Sequence, residues 1–270
     1  TGSKLEVNGQ NVSGGNIVGL QGGQIELLGS GTLEDVMVQG DVIAPNVSVP
    51  NGQTGALKQT IVNEGVIAVG SIDATNATFL VPQESGTTLS GKGCVRMGNR
   101  FARIGEFKGS FTNSTGHRIE GAGRIFGEFM NEFDAIVMAD HPSDPLRINA
   151  PGLKTNNGIF LAVNGGVLNI ETNLGGNGRI EARGGTVKIS GNTTTIADCI
   201  DVPPGSISIV EIGINPNGPA TVTAAVLPIT GGIVNVRNGS TVTISGTVTI
   251  CPDPMGLPPT AELHVLGSTL

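Results

Sequence analysis

Residues 158–190 read GIFLAVNGGVLNIETNLGGNGRIEARGGTVKIS, and this stretch contains one pattern written twice. Residues 158–163 are echoed by 178–182, and 165–170 by 184–189, at an offset of about 19–20 residues, a period typical of stacked repeats. Each copy reads as a short strand, a glycine turn and a second strand with alternating apolar and polar residues. One such unit cannot bury its apolar face, whereas a stack of units can. The stretch therefore predicts a β-solenoid.

A second echo lies further upstream and carries aromatic residues. Gly-Glu-Phe at 105–107 returns at 127–129, about 22 residues later, and Phe111 is followed at the same spacing by Phe133. Side chains of the same type, stacked on one another along the axis, fill the core of such a fold. We therefore expect a phenylalanine ladder inside the coil, with Phe107 above Phe129 and Phe111 above Phe133.

Composition supports an all-β fold and disfavours several functions. The 270 residues include 43 Gly and 15 Pro, about a fifth of the chain against a usual share of about 12%. Glycine follows no strict three-residue period, which excludes collagen. The net charge of −7 provides no basic footprint for nucleic acid. No apolar run approaches the roughly 20 residues of a membrane-spanning helix.

The regular rhythm predicts two regions. Residues 1–190 are expected to form solenoid coils, with a loop excursion near 139–157, because the prolines of Asp-His-Pro-Ser-Asp-Pro at 140–145 are incompatible with a central strand. Residues 191–270 contain longer, strictly alternating strands. This second region either continues the solenoid, which we favour, or forms a small separate β domain.

Residues 30–190 resemble a known class of proteins. SGKGCVRMG at 90–98, GSFTN at 109–113, IEGAGRI at 119–125 and NGGVLNI at 164–170 are similar to coils of bacterial secreted β-helical proteins, namely autotransporter passengers and filamentous-haemagglutinin-like repeat proteins. The resemblance implies a single-stranded right-handed parallel β-helix, an extracellular or cell-surface location, and a role as an adhesin or surface scaffold. It transfers no catalytic residues onto this chain.

An acidic loop is the best candidate for chemistry. Asp134, Asp140 and Asp144 lie close together in sequence, and carboxylate oxygens are ligands that Ca²⁺ prefers. The alternative is a solvated loop in which aspartates begin turns before proline, and this reading is favoured. No other cofactor is indicated. The sequence contains no Gly-x-Ser-x-Gly elbow and no P-loop, so we predict that the protein is not an enzyme.

Two further groups of residues, the cysteines and a basic group, each allow two interpretations. Cys199 and Cys251 are a candidate disulfide in an exported protein, with Cys94 left free, against the alternative of three small buried apolar residues. A basic group is interpreted as part of a surface ladder of ion pairs rather than as the arginine or lysine base of a polysaccharide lyase; it consists of Lys92, Arg96, Arg100, Arg103 and Lys108.

The chain ends suggest self-association. The strand-like segments around Leu5 and Val7, and around Leu263 and Val265, carry no evident cap, and an unpaired strand edge templates another chain. Head-to-tail contact between two different ends yields a filament. The predicted function is therefore an extracellular structural protein that assembles with copies of itself or acts as an adhesin scaffold. Host or cell-surface components are further candidate partners. The alternatives are a β-helical polysaccharide-active enzyme, using the three aspartates with 96–103, and a glycan-binding trimeric spike.

Overall fold

The protein is an all-β solenoid of about eight turns, built from parallel stacked strands. The structure is a computed structural model that describes residues 4–19, 23–39, 47–83, 86–105, 109–149, 152, 154–190, 193–201, 209–212, 221–229, 232–236, 241–244, 248–250 and 261–265. For 193–201, 221–229, 232, 236 and the residues after 240, only the backbone is described. The chain divides into two compact units, Thr1–Val137 and Met138–Leu270.

The described residues form strands and no helix. The strands that begin in the first unit are β1 Lys4–Asn8, β2 Asn11–Ser13, β3 Asn16–Val18, β4 Gln24–Leu28, β5 Gly31–Gln39, β6 Val47–Val49, β7 Thr54–Asn63, β8 Val66–Val69, β9 Thr78–Pro82, β10 Thr87–Ser90, β11 Cys94–Ile104, β12 Ser110–Asn113, β13 Arg118–Ile125, β14 Glu128–Asn131 and β15 Ile136–Ala139. Those of the second unit are β16 Leu146–Ile148, β17 Lys154–Asn156, β18 Ile159–Val163, β19 Val167–Ile170, β20 Leu174–Gly175, β21 Arg179–Arg183, β22 Thr186–Ile189, β23 Thr193–Asp201, β24 Ile209–Ile212, β25 Thr221–Ile229, β26 Gly232–Val236, β27 Thr241–Ile244, β28 Val248–Ile250 and β29 Ala261–Val265.

The strands of the two copies within residues 158–190 pair with each other, as the repeat predicted. In β18 and β21, Phe160 lies opposite Ile180, and in β19 and β22, Leu168 lies opposite Val187, both in parallel register. These partners are 20 and 19 positions apart, which confirms the predicted offset. The apolar positions therefore coincide from turn to turn, and the sheet grows by stacking rather than by hairpins.

Columns of aliphatic side chains form the core of the first unit. One column runs through β1, β4, β6, β8, β11 and β13, in which each member lies opposite the next; its members are Leu5, Ile25, Val47, Ile67, Val95 and Ile119. The last four are fully buried. Branched aliphatic side chains suit this arrangement because they pack well on a pleated surface.

The second unit contains equivalent columns. One runs through β16, β19, β22, β24, β26 and β29 as Leu146, Leu168, Val187, Val210, Val234 and Leu263, and its first five members are fully buried. The parallel neighbour column ends at Val265. Described strands before and after position 191 are thus paired in parallel register within this unit.

The phenylalanine ladder is present in a different register. Phe111 in β12 lies opposite Phe129 in β14, and the two buried rings are 4.8 Å apart between centroids. The predicted pairing of Phe111 with Phe133 is wrong, because Phe133 lies in the turn after β14 and is 77% exposed. Phe107 lies outside the described residues. The turn between these two strands is shorter than the sequence echo suggested.

The predicted excursion at 139–157 is largely structured. β16 and β17 lie inside it, and Lys154 in β17 is fully buried. Irregular backbone is found at 140–145, where the prolines were expected to prevent a strand. The division of the chain at 190 and 191 stays a prediction.

Candidate functional site

One outward face of the first unit brings arginine and phenylalanine together on neighbouring turns. Phe79 in β9, Arg103 in β11 and Arg124 in β13 lie side by side in parallel register. Each is half-buried, while the residues that follow them, Leu80, Ile104 and Ile125, are fully buried. Because side chains alternate along a strand, burial of one set places the other on the outer surface. We call Phe79, Arg103, Arg124 and Phe126 the arginine–phenylalanine face.

Arg103 is held between two aromatic rings. Its guanidinium carbon lies 5.1 Å from the centroid of Phe79 and 5.7 Å from that of Phe126. A guanidinium over an aromatic ring is attracted by the negative charge density of the ring face. Its Nε atom is buried and makes no hydrogen bond in the described part of the protein. The rings therefore fix the orientation of the Arg103 side chain.

The neighbour of Arg103 in register is a second cation. Adjacent strands are about 4.8 Å apart, so Arg103 and Arg124 emerge from the sheet at close range, where like charges repel. Neither guanidinium forms an ion pair with any residue that the structure describes. The face thus carries two neighbouring positive charges, on a protein whose net charge is −7.

In a neighbouring column of the same strands, arginines form ion pairs with a glutamate. The sequence predicted ion pairs of this kind for the basic group. Arg96 in β11 lies opposite Glu120 in β13, and Arg96 Nη2 is 2.6 Å from Glu120 Oε1. Arg118 Nε lies 3.5 Å from Glu120 Oε2. The carboxylate is nearly buried beneath the two guanidiniums. Among the described residues, the predicted ion-pair ladder therefore includes Arg96, whereas no ion pair is formed by Arg103.

The same arrangement recurs in the second unit. Glu181 in β21 is fully buried, and its carboxylate lies 2.9 Å from Arg179 Nη2 and 2.5 Å from Arg183 Nη2. Both contacts are ion pairs, although neither Glu181 oxygen has a partner in hydrogen-bond geometry. Arg-Ile-Glu is the shared sequence signal, at 118–120 and 179–181.

A buried polar network lies at the stacked turns of the first unit. His117 is fully buried; its Nε2 is 3.0 Å from Asn63 Nδ2, and its Nδ1 is 2.6 Å from Asn113 Oδ1. An amide nitrogen only donates, so Nε2 accepts and Nδ1 carries the proton. Asn113 Nδ2 donates to Asn131 Oδ1 at 2.8 Å, and Asn131 Nδ2 donates to the carbonyl of Ala135 at 3.0 Å. The donors and acceptors thus form one directed chain.

Burial lowers the pKa of His117 to about 3, and the charge of Arg118 acts in the same direction. Protonation would also place a second N–H donor against the Asn63 amide. His117 is therefore a neutral structural residue.

The three aspartates predicted for calcium occupy separate places. Asp134 is exposed in the turn after β14 and belongs to the first unit, with a φ of 60°. Asp140 and Asp144 belong to the second unit, where the backbone N–H of Asp144 donates to His141 Nδ1 at 3.0 Å. Among described residues, no group of three or more His, Cys, Asp and Glu is placed to hold a metal ion. Calcium binding stays a prediction.

The predicted disulfide between Cys199 and Cys251 stays a prediction. Cys94 is a free, buried thiol whose Sγ lies 3.3 Å from Glu120 Oε1. Burial, followed by the charge of Glu120, raises the pKa of Cys94 to about 11. Cys199 lies in β23, with only its backbone described, and Cys251 lies outside the described residues.

The residues predicted for self-association occupy the first column positions of the first unit and the last column positions of the second unit. Val7 is buried, whereas Leu5, the first member of its column, is 58% exposed. Leu263 and Val265 are the last register positions of the columns in the second unit. In the part of the chain that the structure describes, β1 pairs only with β4, and β29 only with β26.

Sequence reasoning missed the contribution of Phe79, Arg124 and Phe126. A signal existed, because Arg-Ile occurs at 103–104 and 124–125, one turn apart. Phe79 and Arg103 are likewise separated by one turn. Only the register shows that these residues share a face.

Comparison with known proteins found no relative of this chain. The chain matches no protein-family model, no curated protein and no solved structure. The β-solenoid therefore stands on its own geometry, and the link to autotransporter or haemagglutinin-like proteins stays a proposal. Within the described residues, no helix has the length and apolarity needed to cross a membrane.

Proposed function

We propose that this protein is an extracellular structural protein that assembles head-to-tail with copies of itself into a surface fibre or layer, or acts as an adhesin scaffold. The observation that carries the proposal is the exposed end of a core column. Leu5 begins a row of aliphatic residues whose later members are fully buried, yet Leu5 itself is 58% exposed. Among the described residues β1 pairs only with β4, and a strand edge without a partner favours pairing with another chain.

The hydrophobic gain at this end is modest for each residue. Full burial of a leucine side chain is worth roughly 1.5–3 kcal/mol, so covering the exposed part of Leu5 contributes about 1–2 kcal/mol. Backbone pairing adds specificity, because an open strand presents a row of N–H and C=O groups. In the second unit, Leu263 and Val265 of β29 are the last register positions of two columns. Contact between two different ends does not close on itself and extends into a filament.

The backbone direction of β1 identifies which groups face the open edge. The N–H of Gly9 donates to the carbonyl of Leu28, towards β4. Backbone groups alternate in direction along a strand, so the N–H groups of Lys4, Glu6 and Asn8 point away from β4. Glu6 is therefore a site where the free edge can be altered without touching the β1–β4 pairing.

Assembly is tested with the full 270-residue chain by sedimentation velocity and negative-stain electron microscopy. The parent protein is expected to form filaments whose length grows with concentration. Glu6→Pro removes one N–H from the open edge, and Leu5→Lys places a charge at the column end; both are expected to reduce assembly. Glu6→Ala retains the N–H and serves as the matched control, expected to assemble as the parent does. Monodisperse monomers of the parent at high concentration would overturn the proposal.

The extracellular location rests on the resemblance of the glycine- and asparagine-rich coils to secreted β-helical proteins. Its test is separate from the assembly experiment. Antibody labelling of intact source cells is expected to detect the protein at the surface or in the medium. Labelling that requires permeabilised cells would contradict this location.

A further inference from the structure

We propose that the arginine–phenylalanine face binds an acidic polysaccharide, through oxyanion groups that accept hydrogen bonds from Arg103 and Arg124. The proposal is independent of self-assembly, because it concerns outward-facing residues of β9, β11 and β13 and not those of β1 or β29. Its starting observation is the placement of two cations side by side in parallel register, with no ion pair to any described residue.

Within the described residues, the pair Arg103 and Arg124 differs from two other arginine groups, which each share a glutamate. Arg96 and Arg118 lie on the same two strands, and both contact the carboxylate of Glu120. The buried Glu181 similarly joins two arginines in the second unit. Two adjacent arginines without such a carboxylate repel each other, and a bound anion relieves that repulsion. The face is therefore complementary to an external negative group.

The aromatic rings prepare Arg103 for this role. Phe79 and Phe126 lie 5.1 Å and 5.7 Å from its guanidinium carbon and restrict the side chain, so less conformational freedom is lost on binding. A guanidinium donates two parallel N–H groups to a carboxylate or a sulfate, a geometry that lysine cannot reproduce. The rings also provide apolar surface against which the C–H face of a sugar can pack.

The spacing of the charges favours a polymer with regularly placed acidic groups. Arg103 and Arg124 stand one strand apart, about 4.8 Å. This backbone spacing lets the two guanidiniums contact acidic groups that follow one another along one polymer. Nucleic acid carries a denser charge, and a protein with a net charge of −7 repels it.

Binding is measured by isothermal titration calorimetry with dextran sulfate, polygalacturonate, neutral dextran and single-stranded DNA of similar length. We expect saturable binding to at least one acidic polysaccharide, with the sulfate and carboxylate polymers showing which oxyanion is preferred. Neutral dextran is expected not to bind, and DNA to bind more weakly. Absence of binding to both acidic polymers, or tighter binding of DNA, would overturn the proposal.

Variants distinguish binding at this face from a general electrostatic attraction between the polymer and the protein. Arg124→Gln and Arg103→Lys are each expected to weaken binding by about tenfold, since each removes a charge-assisted bidentate contact. Lys188→Gln, in the second unit, removes a positive charge elsewhere and is expected to change affinity less than about twofold. Circular dichroism melting curves check that each variant folds. Equal losses in Arg124→Gln and Lys188→Gln would show that the face is not the site.

Discussion

The buried position of His117 predicts a specific dependence of stability on pH. The folded-state pKa is about 3, because burial disfavours the charged imidazole, whereas the unfolded chain has the ordinary histidine value of about 6.5. Between these two values the unfolded state binds more protons than the folded state. Stability is therefore complete above about pH 6.5 and falls as the pH drops towards 3.

The magnitude follows from proton linkage. Each bound proton changes stability by about 1.4 kcal/mol per pH unit, so His117 alone removes about 2 kcal/mol between pH 7 and pH 5 and about 4 kcal/mol by pH 3. The interval from pH 7 to pH 5 is the informative one, because most carboxylates remain ionised there. Lower pH mixes the effect with protonation of Asp and Glu.

Replacement of His117 by glutamine isolates the contribution. Glutamine can retain one contact to Asn63 or Asn113 but does not titrate, and loss of the other contact is expected to cost about 1–3 kcal/mol at pH 7. The difference in stability between the parent and His117→Gln should then shrink by about 2 kcal/mol when the pH falls from 7 to 5.

The assay is urea unfolding followed by circular dichroism at pH 7, 6 and 5, on the parent and on the variant. In parallel, the C2-proton resonance of His117 is followed by NMR and is expected to keep its neutral shift throughout this range. Equal loss of stability in the two proteins would refute the argument. Titration of His117 near pH 6.5 in the folded protein would refute it independently.

Three further predictions concern packing, backbone space and thiol reactivity. Phe160→Ala, at a fully buried ring, is expected to cost about 3–5 kcal/mol in urea unfolding, whereas Phe133→Ala, at a ring 77% exposed, should stay within about 0.5 kcal/mol. Gly121→Ala is expected to prevent normal folding, seen as a lost melting transition, because its Cβ would lie 2.0 Å from a carbonyl oxygen of the preceding turn; Gly175→Ala, with open space around it, should melt like the parent. Cys94, whose pKa is raised to about 11, is expected to resist iodoacetamide at pH 8 until urea unfolds the protein, as read by peptide mass spectrometry; rapid native labelling would contradict its buried position.

The chain pattern was sufficient to predict stacked turns where neighbouring turns have similar lengths. Between β18 and β21 the partners are 20 positions apart, close to the repeat that the eye finds in the sequence. The ladder of Phe111 on Phe129 was placed wrongly because those strands are separated by 18 positions, while Cys94 and Arg118 one turn earlier are 24 apart. Turn lengths vary because loops sit on the surface and tolerate insertions, so a single period misplaces individual rungs.

In the candidate site, the sequence likewise indicated some of the side chains, and others became apparent only from the register. Arg103 was singled out in the sequence as one member of a basic group, but its aromatic neighbours were not. Phe79 is 24 positions before it and Phe126 is 23 positions after it, and both contact its guanidinium. By contrast, the strand that contains Leu5 could be predicted from sequence, because a strand pattern is local, and the structure places Leu5 at 58% exposure.

The sequence by itself determined the β-solenoid, the aliphatic interior and the apolar character of the terminal strands, because these depend on alternation and glycine spacing within about twenty residues. Only the tertiary structure decided which cations are neutralised, which are left as a pair, and where a histidine becomes part of a closed network. The physical reason is that electrostatic and aromatic contacts act between neighbouring turns, across about 4.8 Å of space but more than twenty residues of chain. Register, which no local pattern records, fixes those distances.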